Sequence, residues 1–186
     1  MNLSPPHPDL RACVVVPARN EQALIASSLL ALAAQTGIKP YEYEVLLVLD
    51  ACTDSTAERA REVADAHPLL RLHLLDGPGL GSGYARRAGM DAVCERLTGL
   101  GRTEGLIAST DADTIVAHDW LSVQLDAAER GARAIGGRIE LGPEPYHKPS
   151  SAGTPSEEDP GTRSSWPIQT GSVRRSTGSS AARPSP

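Results

Sequence analysis

An α/β fold built on a parallel sheet is predicted by two features of the sequence. Short, near-continuous runs of Val, Leu and Ile recur through the first three quarters of the chain, and helical stretches separate one run from the next. Apolar runs of this kind suit strands covered on both faces, and strand–helix alternation with right-handed crossovers supplies that cover. Strands are expected at residues 11–17, 43–49, 69–75, 106–109 and 134–141, and helices at about 21–35, 55–66, 84–100 and 119–130. Gly37 is a stop signal for the first helix. Thr53 or Asp54 is an N-cap for the second, which ends before Pro68.

The 186 residues allow one domain, at most one and a half. With 40% hydrophobic and 22% charged residues, disorder along the whole chain is excluded. Aromatics are 3% with no Phe, so the core must be assembled from Leu, Val, Ile and Ala. Residues 1–10 read as a flexible N-terminus and 11–142 as the folded domain. From 143 to 186, 26 of 44 residues are Pro, Gly, Ser or Thr. So little apolar surface cannot offset an ordering entropy of about 1–2 kcal/mol per residue, so this tail is expected to be disordered. Residues 1–142 hold 19 acidic and 13 basic residues, a net charge of −6.

That acidity argues against a nucleic-acid binder, which needs basic excess to neutralise phosphates. No apolar run approaches the roughly 20 residues of a membrane helix. The opening residues lack the charged start and apolar stretch of a signal peptide, so a cytoplasmic setting is expected. Cys13, Cys52 and Cys94 share no ligand-like spacing and read as reduced thiols.

Ligands of such sheets bind beyond the carboxyl ends of the strands, which turns attention to four loops. They are 17–21, 50–56, 76–83 with the helix start at 85–89, and 109–114. Asp111 and Asp113, one residue apart, point to the same side of an extended segment and can share a divalent cation. About 0.6 such pairs arise by chance in a chain of 186 residues with 11 Asp, so a solvated turn is the competing reading. The glycines from Gly77 to Gly83 fit a dinucleotide loop poorly, because Ser82 stands where a glycine is needed and the loop follows the third strand instead of the first. A plain turn and a phosphate-facing loop stay open. Arg86 and Arg87 open a helix, where a cation works against the dipole unless an anion is near, and this favours anion contact by Arg86. Asp50 also reads as a strand-end turn residue, Cys52 as a loop filler, and His67 and His118 as helix-boundary residues.

Together, Val14-Val-Val-Pro-Ala-Arg-Asn-Glu21, Val48-Leu-Asp-Ala-Cys-Thr-Asp-Ser-Thr56, Ala85-Arg-Arg-Ala-Gly89 and Thr110-Asp-Ala-Asp-Thr114 resemble the ordered signature of family 2 glycosyltransferases. The resemblance covers residues 11–141. It implies the GT-A fold, a Rossmann-like sheet that binds a nucleotide-diphospho-sugar, and sugar transfer that is metal-dependent and inverting. It places Pro17, Arg19 and Glu21 at the nucleoside and Asp50 at the base. Arg86 faces the nucleotide, and Asp111 and Asp113 hold Mn2+ or Mg2+ against the diphosphate. Arg87 stands where the family has Asn. A UDP-sugar is the leading donor and the acceptor is open.

The resemblance stops near Gly142, where an acceptor-binding half with an acidic base is expected and Ser/Pro/Arg-rich sequence appears. A truncation or reading-frame change is the expectation there. Glu157, Glu158 and Asp159 lack a scaffold to act as that base, so the catalytic residue is unassigned. The alternatives are a sugar-nucleotide binder without turnover and, on the glycine loop alone, a dinucleotide-dependent oxidoreductase. A lipid-carrier acceptor would bring peripheral membrane association, although no basic amphipathic helix supports it.

Overall fold

The computed structural model describes residues 3–140. Contacts divide the chain into Met1–Arg138 and Ile139–Pro186, and every helix and strand described lies in the first unit. In chain order they are β1 (Ala12–Ala18), α1 (Ile25–Ala33), β2 (Tyr43–Leu49), α2 (Thr56–Ala66), β3 (Leu72–Asp76), α3 (Ser82–Gly99), β4 (Leu106–Ser109) and α4 (Trp120–Glu129). The strands form one sheet of order β3-β2-β1-β4, and every pairing is parallel. Its direction of growth reverses between β1 and β4, which opens a crevice beyond their carboxyl ends.

The two faces of β1 and β2 separate by the period of two that pleating imposes. Val14, Val16, Val45 and Leu47 pack with Ile25, Leu29 and Leu32 of α1, Ala60 and Val63 of α2, and Leu121 and Leu125 of α4. Cys13, Val15, Leu46 and Val48 pack with Ala85, Ala92, Val93 and Leu97 of α3. Both faces are therefore dry, which is why the strand sequences are almost unbroken in apolar character. Burying one such Val or Leu side chain contributes about 1.5–3 kcal/mol.

α3 sits close to the sheet because Gly89 has no side chain. A Cβ there would lie 2.5 Å from Cγ1 of Val15 and 2.9 Å from Cγ2 of Val48.

The amino end of the sheet is pinned by a buried ionic cluster. Glu44 on β2 is 1% exposed. Its carboxylate accepts hydrogen bonds from Nε and, at 2.9 Å, Nη2 of Arg96 on α3, and lies 3.2 Å from Nε2 of His73 on β3. Burial alone pushes the Glu44 carboxyl up, but the hydrogen bonds from Arg96 and His73 outweigh it and hold the group down at about 2. Burial, reinforced by the neighbouring Glu44 charge, pushes the Cys13 thiol far up and keeps it neutral.

Several boundaries differ from the sequence expectation. The first helix begins at Ile25, not near residue 21: residues 22–24 form a turn with the Leu24 and Ile25 amides on the Glu21 carbonyl, and the Glu21 and Gln22 amides donate to Thr56 Oγ1 and Asp54 Oδ2 across the neighbouring loop. It ends at Ala33, ahead of Gly37, whose φ of +72° is held against Ser122. The second helix is capped at Ser55, and Asp54 accepts the Thr56 amide at 3.0 Å from one position outside. Leu69 and Leu70 belong to a turn closed by the Leu70 amide on the His67 carbonyl, so β3 starts at Leu72.

The strand expected at 134–141 is not formed over the described residues 134–140. Apolar alternation can mark a half-buried face, but a strand also needs a neighbour to pair with. β4 pairs only with β1 among the described residues, and Ile139 is 87% exposed. The segment read as a flexible N-terminus is anchored where it is described: Arg71, Arg96 and Arg102 donate to the carbonyls of Pro5, Ser4 and Pro8, and Leu10 is fully buried. The tail expected at 143–186, with Glu157, Glu158 and Asp159, lies outside the described residues, as does the expected break near Gly142.

Candidate functional site

The four loops singled out in the sequence meet along the carboxyl rim of the sheet. Pro17 is buried in an interior strand, a place that usually excludes proline. Here alternation removes the conflict. The Ala18 carbonyl faces β2, where it accepts the Asp50 amide, and the Val15 carbonyl faces β4, where it accepts the Thr110 amide. Position 17 therefore also faces the β4 side, past the last β1–β4 pair, Val15 with Ser109. No ladder bond is lost.

The loops after β1 and β2 are stitched together. Asn20 Oδ1 accepts the Thr53 amide at 2.8 Å. The Glu21 amide donates to Thr56 Oγ1 at 2.8 Å, and the Ser55 amide donates to Gln22 Oε1 at 3.1 Å. Asn20 and Ala51 both hold left-handed backbone, at φ +57° and +55°. Asn tolerates this through its short polar side chain, whereas Ala bears about 1–2 kcal/mol of strain. Strained backbone of this kind persists only where surrounding bonds over-determine it, and it clusters at functional sites. Arg19 is exposed beside this stitch.

Asp50 is buried, 1% exposed, and both of its oxygens are engaged. Oδ1 accepts the Gly79 amide at 2.6 Å and Oδ2 accepts the Gly81 amide at 2.7 Å. Gly79 and Gly81 have φ of +74° and +104°, so their amides turn inward to the carboxylate and form no open phosphate cradle. Gly81 is also the N-cap of α3, which has no side-chain cap of its own. Asp50 thus fixes the start of that helix.

Arg86 reaches from the first turns of α3 to the end of β4. Its Nη1 donates to Ser109 Oγ, which in turn donates to the Val15 carbonyl at 2.9 Å. Its Nη2 donates to Asp111 Oδ1 at 2.5 Å. The anion expected near this helix start is therefore a carboxylate of the same chain. Asp111 and Asp113 flank a turn closed by the Thr114 amide on the Asp111 carbonyl at 3.2 Å, so the segment is bent and not extended. Ala112 between them is buried in the core, and both aspartates are exposed. The buried alanine turns the two carboxylates outward.

Glu21 completes an acidic rim. Burial raises its carboxyl above the usual range, and the charges of Asp113, Asp54 and Asp111 raise it further. Those couplings place Glu21 within electrostatic reach of the Asp-x-Asp pair. Among the described residues, no three His, Cys, Asp or Glu side chains converge as a ready-made metal site. Two hard oxygen donors on an exposed turn suit Mg2+ or Mn2+, ions that complete their shells with water and phosphate oxygens.

A cavity of about 740 Å3 lies away from this rim, between Gly101–Ile107 and the stretch from Gln124 to Ile135, and no expected site residue lines it. Volume alone would direct attention there. The residues that the sequence singles out lie instead on the rim, where Arg19, Asp111 and Asp113 are exposed.

Sequence reasoning did not single out Ser109, Asn20, Thr53, Asp54 or Thr56 as site residues. Ser109 had a visible signal, a hydroxyl ending an apolar strand. The others act through cross-loop bonds that only the fold brings together.

The parallel sheet, its crossovers and its flanking helices make a Rossmann-like α/β fold that matches GT-A glycosyltransferase structures. The sequence profile of glycosyl transferase family 2 matches residues 13–179, and the chain belongs to that family. Among solved structures it is similar to TarS 1–349 of S. aureus in complex with UDP. Identity is 23%, the TM-score is 0.52, and the match covers 65% of this chain and 32% of that one. It is also similar to the mannosyltransferase PcManGT of Pyrobaculum calidifontis in complex with GDP-Man and Mn2+. Identity there is 25%, the TM-score is 0.52, and coverage is 73% of this chain and 36% of that one. The chain spans about a third of the length of these structures. No curated protein matches the sequence. No helix among the described residues is long and apolar enough to cross a membrane.

Proposed function

We propose that residues 11–142 bind the donor of a glycosyl transfer, a nucleoside diphosphate sugar with UDP as the first nucleotide to test, together with Mn2+ or Mg2+. The observation that carries this reading is the rim itself. Outward-facing Asp111 and Asp113, the Arg86 guanidinium and the acidic Glu21 meet at the crevice between β1 and β4. Asp111 and Asp113 would hold the cation, and Pro17, Arg19 and Glu21 line the path of the nucleoside. Arg86 meets the diphosphate. A bound divalent cation neutralises charge developing on the leaving diphosphate and orients it. Asp50, expected at the base, already has both oxygens occupied, so its part is to hold the glycine loop and the start of α3. The transfer is proposed as inverting, in a cytoplasmic setting.

Calorimetry with UDP and GDP, with and without Mn2+, tests the reading. Metal-dependent binding is expected, and binding that ignores the metal, or no binding of either nucleotide, refutes it.

A second reading is a sugar-nucleotide binder without turnover. It is favoured by the described rim carboxylates, Glu21, Asp50, Asp54, Asp76, Asp111 and Asp113, all of which lie on the donor loops. None is placed as a base for an acceptor hydroxyl, a group that inverting transfer requires. A radiolabelled donor assay separates the two, since transfer or hydrolysis above background removes the second.

A further inference from the structure

We infer that Arg86 is a transferable counter-ion that couples metal capture to diphosphate binding: it holds Asp111 in the ligand-free protein and is released to the diphosphate when a cation takes that carboxylate. The inference rests on the donor-site reading above and adds the order of events within it.

Arg86 is held as a fork. One prong is fixed on Ser109 Oγ, itself fixed on the Val15 carbonyl, and the other lies on Asp111 Oδ1 at 2.5 Å. The pair is solvent-accessible, with side-chain exposures of 31% for Arg86 and 62% for Asp111, so it can exchange partners without opening the core. Arg86 is the fifth residue of α3, one turn in from its amino end. In this structure that guanidinium is balanced by the Asp111 carboxylate. A cation arriving at Asp111 removes that anion and adds positive charge beside the arginine.

The metal alone therefore meets two penalties, competition for Oδ1 and repulsion from an orphaned guanidinium. A diphosphate arriving with the metal relieves both, because its oxygens accept the Nη2 prong that Asp111 gives up while Nη1 stays on Ser109. The consequence is positive coupling between cation and nucleotide, and coupling of this kind is reciprocal.

Arg87 is an internal control. It is the adjacent cation, but it is 82% exposed on its side chain and lies 3.8 Å from Asp91 one turn along the same helix.

The experiment measures MnCl2 binding by electron paramagnetic resonance without nucleotide, then UDP binding at saturating and at zero Mn2+. It uses the wild-type chain, Arg86→Gln, Arg86→Lys and Arg87→Gln. Arg86→Gln is expected to bind Mn2+ alone about two- to fivefold tighter, the range for releasing an exposed pair. It is also expected to lose most of the factor by which Mn2+ strengthens UDP. Arg86→Lys, which keeps the charge but cannot span Ser109 and Asp111 together, is expected to shift in the same direction, and Arg87→Gln to match wild type.

Unchanged or weaker Mn2+ binding in Arg86→Gln overturns the inference. So does an Arg86→Lys protein indistinguishable from wild type, because charge without the fork would then suffice. A shift in Arg87→Gln equal to that of Arg86→Gln overturns it as well. Loss of Mn2+ and UDP binding in all four proteins instead strikes the donor-site reading, and this inference falls with it.

Discussion

Replacing Gly89 with Ala should destabilise the domain, although alanine is the better helix former. The two effects oppose each other and their sizes decide the sign. In a helix interior Ala is favoured over Gly by about 0.8–1.0 kcal/mol. Against this, the new Cβ would stand 2.5 Å from Val15 Cγ1 and 2.9 Å from Val48 Cγ2. Ordinary carbon contacts begin near about 3.5 Å, so the gaps fall short by roughly 1.0 and 0.6 Å. Neither valine can swing aside, because β-branched side chains are stiff at χ1 and both lie in a fully buried layer. The helix must move off the sheet instead. Overpacking of this kind costs about 1–3 kcal/mol, and contact with two rigid partners puts it at the upper end. The net is a loss of about 1–2 kcal/mol, which lowers Tm by about 4–8 °C per kcal/mol at the smaller end of domain sizes and half that at the larger. Urea and thermal unfolding of Gly89→Ala against wild type measure it. A variant as stable as wild type, or more so, would show that α3 has room to spare and that Gly89 does not set its distance from the sheet. Since Arg86 lies one turn before Gly89 on the same helix, weaker UDP binding should accompany the loss.

Asp111→Asn and Asp113→Asn should each weaken Mn2+-dependent UDP binding by at least about tenfold, 1.4 kcal/mol, while leaving the unfolding midpoint near that of wild type; calorimetry beside thermal melting checks both. Glu44→Gln should cost about 3–5 kcal/mol, because it leaves the Arg96 guanidinium buried without its counter-charge. The same carboxyl sets a pH window. Its folded value of about 2 lies below the ordinary 4.5, so its contribution is complete above about 4.5 and is lost as pH falls towards 2. Urea midpoints of wild type should decline across that window, and those of Glu44→Gln should decline less. Asp50→Asn should leave one glycine amide facing an NH2 group, at a cost of about 1–3 kcal/mol. Hydrogen exchange at Gly79 and Gly81 should accelerate before any other part of the sheet loosens.

The strands were legible as short apolar runs, unbroken in β1 and β2 because both of their faces are buried, and the helices as the longer stretches between them. Boundaries were less legible where side chains compete with the backbone. Nothing local to residues 21 and 22 says that Thr56 and Asp54 will capture their amides, and the turn at 22–24 that precedes α1 was read as helix. The run at 134–141 misled because alternation reports a preference for a surface, whereas a strand depends on a neighbour's unpaired edge. At the site, residue types and positions were visible, but their bonding was not. Asp50 stood out as an acid after a buried strand, yet its ties to Gly79 and Gly81 span 29 and 31 residues. Glu44 drew no attention in the sequence because its partner, Arg96, is 52 residues away.

Pro17 has a final consequence. A parallel sheet tends to zip onward wherever two neighbouring backbones still offer donors and acceptors. By presenting no N–H on the side that faces β4, Pro17 denies the next rung to any chain that would lengthen that strand. The notch between the two strand ends is thereby kept from knitting shut, and the backbone owes that opening to a missing hydrogen.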